Sequence, residues 1–260
     1  MLFKLNVELD RQQNILPINY QYELSSFIYK TLQRGNLEYS KWLHNNGFQL
    51  NGKSFKLFTF SNFIIPSYTI DREKGRILIH SDSVYWYISF LPERSTENFI
   101  KGIFLKQKFS IGDKKTQVDF YVKNVEIIPE PEFKEEMYFK TLTPISISRK
   151  NNNGKIEYVN PAEEYAKQAV LKNLLNKYHV FYGKEYPINI EEINFDFVHV
   201  SEPKSKLILI KAGTSEETRV RGYNCKFKIN APVDLIKIMY NSGIGEKGSL
   251  GFGMVEVMVK

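Results

Sequence analysis

One cysteine, Cys225, stands in a chain of 260 residues, so no internal disulfide can form and the staples of small secreted domains are excluded. Only four histidines are present, and no Cys/His cluster has zinc-ligand spacing, which removes a structural metal from the reading. No apolar run approaches the roughly 18 residues that span a bilayer. The opening Met1-Leu2-Phe3-Lys4-Leu5-Asn6-Val7-Glu8 alternates polar with apolar where a signal peptide would carry an apolar block. These absences predict a cytoplasmic protein in a reducing compartment, with no membrane partner.

What is present is ordinary for a globular protein. Hydrophobic residues make up 42% of the chain and charged residues 25%, which gives no support to long disorder, collagen-like repeats or coiled coil. Thirty-six Lys and Arg against 29 Asp and Glu leave a net charge of +7. That excess favours a polyanionic partner without identifying one.

Hydrophobic periodicity orders the chain. Phe3, Leu5, Val7 and Leu9 alternate as in a strand with one buried face. From Tyr20 to Gln33 the period becomes helical: Leu24, Phe27, Ile28, Thr31 and Leu32 share one side, and Gly35-Asn36 ends the helix. Leu37 to His44 reads as a second, short helix that stops in Asn45-Asn46-Gly47, and strand formers return from Phe55 to Phe60. Arg76 to His80 and Val84 to Phe90 read as a hairpin turning at Ser81-Asp82-Ser83. A helix from Glu93 to Lys101 and strands near 104–109 and 117–127 complete this half.

Pro129-Glu130-Pro131-Glu132 then interrupts every pattern, because proline restricts its own backbone and that of its predecessor. Beyond it a strand near Tyr138 to Ser148 precedes a helix with Asn160 as N-cap, Pro161 at N1 and Glu163 at N3, running to about Tyr178. Strands follow near 194–200, 206–211 and 219–230, then a helix from Pro232 to Asn241 and a last strand from Phe252 to Val259. Each half approximates β-α-β-β-α-β. The expected fold is α+β, with tandem ferredoxin-like domains at 1–128 and 137–260 and a linker at 129–136.

The most unusual segment is Gly243-Ile244-Gly245-Glu246-Lys247-Gly248-Ser249-Leu250-Gly251-Phe252-Gly253, with five glycines in eleven residues. Glycine allows positive φ and close approach, and a loop of exposed N–H groups can hold phosphate oxygens. A flexible tight turn is the plainer alternative. The segment is neither common nucleotide motif: a dinucleotide fingerprint follows a strand and opens a helix, and a P-loop needs Lys then Ser or Thr after its last glycine. A nucleotide-binding enzyme is therefore the weaker rival.

This loop, running into Leu250-Gly251-Phe252-Gly253 behind two ferredoxin-like halves, resembles the CRISPR repeat-processing endoribonucleases of the RAMP superfamily. Tyr20-Gln21-Tyr22, Lys56-Leu57-Phe58-Thr59-Phe60-Ser61 and Leu142-Thr143-Pro144-Ile145 add to the likeness, which covers nearly the whole chain. The resemblance implies a metal-independent nuclease with no cofactor. It would cut precursor CRISPR RNA within each repeat, leaving a 2′,3′-cyclic phosphate and a 5′-hydroxyl. CRISPR repeat RNA is the implied partner, with other effector-complex subunits and a homodimer left open. A non-catalytic RNA-binding subunit of the same superfamily is the alternative. The catalytic positions it implies are Tyr29 on the first helix, His44 after it and Lys56 near the next strand. Lys53 is an alternative to Lys56, since the loop between Asn45 and Phe55 aligns in more than one way.

The residues themselves admit these roles. Tyr29 shares a helix face with Tyr22, Ser26 and Gln33, away from the apolar stripe, although most of the 16 tyrosines are expected to pack or lie at the surface. His44 falls at a helix C-terminus, where an imidazolium is favoured. A capping or surface histidine is the plainer alternative, and His80, His179 and His199 are read that way. Attack by a 2′-hydroxyl needs a base, an acid for the leaving oxygen and a cation for phosphoryl charge. His44 suits proton transfer, as base or acid, and Lys56 suits phosphate charge. A free tyrosine titrates at about 10, so Tyr29 fits orientation better than base catalysis. For binding, Gly243, Gly245, Lys247, Gly248, Gly251 and Gly253 of the loop join Arg149, Lys155, Arg219 and Arg221, which could track phosphates or merely serve solubility.

Overall fold

A computed structural model describes residues 1–10 and 12–258. Its helices are α1 (Gln21–Gly35), α2 (Leu37–Asn45), α3 (Glu93–Leu105), α4 (Glu164–Tyr182) and α5 (Val233–Ser242). A five-stranded antiparallel sheet has the spatial order Phe58–Phe60, Ser83–Phe90, Leu2–Leu9, Gln117–Ile128, Lys108–Gly112. A four-stranded sheet has the order Asp196–His199, Lys226–Asn230, Glu136–Thr141, Val255–Val257. In both, the second, third, first and fourth strands of a β-α-β-β-α-β unit lie side by side. The fold is the expected α+β pair of ferredoxin-like units, with Lys108–Gly112 added at one edge.

The apolar stripe of α1 does what its spacing predicts. Leu24, Phe27, Ile28, Thr31 and Leu32 are all buried, and the apolar four pack with Phe3, Leu5, Val7 and Trp86 of the first sheet. Burying each such apolar side chain stabilises the unit by about 1.5–3 kcal/mol. A second core gathers Phe139, Phe227 and Ile229 of the second sheet with Val170 and Leu174 of α4 and Leu235, Ile236 and Met239 of α5. The crossing of α1 and α3 is too close for side chains. A Cβ on Gly102 would lie 1.9 Å from the Thr31 carbonyl oxygen. Asn36 ends α1 in extended backbone and starts α2, its side chain accepting from the Tyr39 N–H at 2.9 Å.

Several expected elements are rearranged. Arg76–Ile79 and Ser83–Phe90 do not pair with each other. The first joins Tyr68–Asp71 and Ile15–Pro17 in a small separate sheet, while the second is claimed by the central Leu2–Leu9 strand. The supposed loop after α2 holds a hairpin, Phe48–Leu50 with Lys53–Phe55. The capping contacts around Asn160 exist, since its N–H donates to Glu163 Oε1 at 2.9 Å, but they close a turn. Glu163 is extended, so α4 begins at Glu164. The run 219–230 divides at Cys225 into Thr218–Asn224, paired with Lys204–Ile210, and Lys226–Asn230 in the second sheet. The last strand is Val255–Val257; of the expected span, Val259 lies outside the described residues. No helix among the described residues is long and apolar enough to cross a membrane.

Candidate active site

Tyr29 leaves the outer flank of α1 half-buried, and His44 leaves the last turn of α2 exposed. Their rings meet edge to face with centroids 4.9 Å apart, and Phe58 closes the other side of Tyr29 at 5.6 Å. The His44 Nδ1 contacts Asn45 Oδ1 at 3.0 Å, so Nε2 is the nitrogen left to exchange a proton. Burial pushes the Tyr29 phenol well above its usual range, while a hydrogen bond with the Ser249 side chain works the other way. The phenol therefore stays protonated and acts as a donor, which agrees with an orienting role.

Lys56 sits beyond the small hairpin, half-buried, with Nζ donating to the His44 carbonyl at 2.8 Å. It caps the C-terminal end of α2, where a cation offsets unpaired carbonyls. Burial lowers its pKa from the lysine norm. Two ammonium hydrogens remain for another acceptor. Lys53 is exposed on the hairpin strand. The structure thus joins Lys56 to the backbone of His44 and leaves Lys53 free on the same groove wall.

The glycine-rich loop lies against these residues and belongs to both halves. Gln21 Nε2 donates to the Leu250 carbonyl at 2.9 Å, Ser25 Oγ to the Ser249 carbonyl at 2.6 Å, and Thr59 Oγ1 to the Phe252 carbonyl at 2.9 Å. From the other half, the Ser146 and Pro144 carbonyls accept from the Glu246 and Gly253 N–H groups. Gly243, Gly251 and Gly253 are buried with positive φ. They shape the loop; the Gly251 N–H is spent on the loop's own turn, on the Gly248 carbonyl, and the Gly253 N–H on the Pro144 carbonyl. A Cβ on Gly251 would press on the Phe60 ring at 2.6 Å. Gly245 also has positive φ and is buried, pressed on the Ser146 carbonyl. The successive N–H groups of Lys247, Gly248 and Ser249 have no acceptor among the described residues. Lys247 is left-handed at φ 62°, a geometry that turns such groups toward a common anion.

Two grooves share Ser249 and Leu250 as a ridge. One, of about 480 Å³, holds Tyr29, His44, Asn45 and Lys30; the other, of about 510 Å³, holds Lys53, Lys56, Lys172, Lys247 and Gly248. Among the expected phosphate contacts, Arg219 and Arg221 occupy one exposed face of Thr218–Asn224. Arg221 donates to Ser205 Oγ at 2.6 Å. Arg149 is engaged by Glu157 and Glu163 at 3.1 and 3.2 Å, and Lys155 lies exposed at the turn of the same hairpin. Neither Arg149 nor Lys155 lines the two grooves.

Sequence comparison decides the family. Residues 15–126 match the family described as CRISPR-associated protein Cas6, N-terminal, and residues 128–257 match CRISPR associated protein Cas6, C-terminal. The chain belongs to the Cas6 family. It is similar to "CRISPR-associated endoribonuclease Cas6 1" of Methanocaldococcus jannaschii, 32% identical over 257 residues, covering 96% of this chain and 92% of the relative. A Pyrococcus furiosus protein named CRISPR-associated endoribonuclease Cas6 is 28% identical, over 93% of this chain and 83% of its own length. Among solved structures, a Cas6-related Pyrococcus furiosus protein superposes with TM-score 0.82 at 27% identity, covering 99% of this chain and 98% of that one. A structure titled "An RAMP protein binding different RNA substrates" gives 0.81 at 25% identity and full coverage of both.

Sequence reasoning missed four residues that build this candidate site of the Cas6 chain. Ser249 was overlooked among the glycines, although a hydroxyl inside such a loop is itself a signal. Gln21 and Ser25 lie on α1 where a helical wheel marks them only as polar neighbours of the buried stripe. Lys177 was missed too, and its signal was plain: it falls in register with Ala166, Val170 and Leu174 on the buried face of α4.

Proposed function

We propose that this Cas6 chain cuts precursor CRISPR RNA within its repeats, by attack of a ribose 2′-hydroxyl on the adjacent phosphodiester. The products would be a 2′,3′-cyclic phosphate and a 5′-hydroxyl, formed without a metal ion. Its relatives named endoribonucleases support RNA cleavage in CRISPR RNA processing, and the RNA-binding RAMP neighbour supports an RNA partner.

The observation that carries the reading is the meeting of Tyr29 and His44 beside the glycine-rich loop. In this mechanism His44 moves the proton, through Nε2, to or from the reacting oxygens. Tyr29, kept neutral by burial, donates a hydrogen bond that orients the nucleophile or the phosphate. Lys56 and the N–H groups of Lys247, Gly248 and Ser249 stabilise charge on the phosphoryl oxygens. Arg219, Arg221, Lys155 and the unshared donors of Arg149 track more distant phosphates, which position RNA without reading its sequence.

The reading divides the chain into catalytic 1–128, linker 129–136 and loop-bearing 137–260, supported by the two separate cores. It takes repeat RNA as partner, with other effector-complex subunits and a homodimer left open. Incubation of labelled repeat RNA in EDTA tests it. Cleavage to a cyclic phosphate end is expected, with none when the cleavage-site ribose is 2′-deoxy. Cleavage of the deoxy substrate, or a requirement for added metal, would remove the mechanism.

A further inference from the structure

The glycine-rich loop is anchored at its start by a residue that the catalytic account does not use. On α4, Ala166, Val170, Leu171, Leu174 and Tyr178 form the buried face, and Lys177 stands among them only 5% exposed. Its Nζ donates to the Gly243 carbonyl at 2.6 Å and contacts the Ser242 carbonyl at 3.4 Å. Ser242 ends α5, so these carbonyls lack helical partners, and a cation there is favourable. A Cβ on Gly248 would lie 2.9 Å from the Ser242 carbonyl oxygen and 2.7 Å from that of Phe58. Gly248 therefore rests on the carbonyl that Lys177 faces. Burying an ammonium is costly, and an apolar side chain would complete the α4 stripe without that cost.

We propose that Lys177 is the positioning residue of the loop: from behind, it fixes the Ser242 and Gly243 carbonyls so that Gly248 seats on them and the Lys247–Ser249 N–H groups and the Ser249 hydroxyl face the RNA phosphate. The functional part rests on the proposed RNA cleavage. Lys177 borders the same cavity as Lys53, Lys56, Lys172 and Lys247, so it places a fixed hydrogen-bond donor beneath the anion site. The acidic group acting on it is Glu246, itself held by Ser148 Oγ at 2.6 Å. Burial lowers the lysine to about 7, so its charge is only partly kept near neutral pH.

The test compares wild type with Lys177→Met, which keeps the length and removes charge and donors, and Lys177→Arg, which keeps both. Three quantities are read: hydrogen exchange of the Glu246, Leu250 and Gly251 amides, affinity for repeat RNA, and single-turnover cleavage at saturating RNA. Lys177→Met is expected to exchange faster in the loop alone, and to lose about tenfold in affinity and about tenfold in rate. Lys177→Arg should stay within about threefold of wild type in both. Wild-type exchange and affinity in Lys177→Met would overturn the proposal, as would equal losses in both variants. If Lys177→Met does not fold, Lys177→Gln takes its place under the same criteria. A wild type that binds RNA without cutting it would sink the cleavage reading alone, leaving the exchange and affinity comparisons to judge Lys177.

Discussion

The two walls of the site are built on opposite plans. On the α1/α2 wall, Tyr29 and His44, with Lys56 bonded to the end of α2, offer side chains from a scaffold that folds around other residues, and the exposed His44 ring meets Asn45 and the Tyr29 ring. On the loop wall the groups proposed to meet phosphate are backbone N–H donors, and the glycines that shape their loop are the same residues that let it pack. Chemistry and folding are separable on the first wall and inseparable on the second.

That contrast breaks or holds under substitution. The largest effect is expected for His44→Ala: a single-turnover rate lower by about 10²–10⁴-fold, the range of general acid–base contributions, with an unchanged melting temperature. A mutant that cuts at the wild-type rate removes His44 from the mechanism. Next comes Lys56→Met, with a rate loss of about 10²-fold, comparable to deleting one donor to a developing oxyanion. Lys53→Met, assayed alongside, sharpens the assignment; a larger loss there transfers the role to Lys53. The smallest catalytic effect and the largest stability effect should coincide in Gly248→Ala. Its methyl group would meet the Phe58 and Ser242 carbonyls, so overpacking should cost about 1–3 kcal/mol in thermal unfolding. Weaker RNA binding should accompany it. Full stability together with lost binding would show that the two plans are not distinct.

Much of this was legible in the chain because local signals and tertiary demands agree. The α1 stripe, the α2 stop at Asn45-Asn46-Gly47 and the glycine-rich segment need only near neighbours for their meaning. The false hairpin at 76–90 shows the opposite case: two good strands adjacent in sequence were separated because Leu2–Leu9 offers Ser83–Phe90 a longer buried partner. At the site, the face of Tyr29 could be read from helical spacing and the place of His44 from the helix end. Their ring contact, the Ser249 bond to Tyr29 and the commitment of Lys56 to the His44 carbonyl could not, since each depends on elements far apart in the chain or on one backbone oxygen.

The bonds from Gln21 and Ser25 to the loop join residues 229 and 224 positions apart. On a ribosome, where domains generally fold from the N-terminus as they emerge, α1 and its sheet can form early with His44 already in place. The loop proposed to grip RNA nevertheless cannot dock on α1 until the segment through Gly251 has been synthesised. On the proposed function, a chain stopped before the loop would keep Tyr29 and His44 together on α1 and α2 but lack the wall assigned to the RNA phosphate.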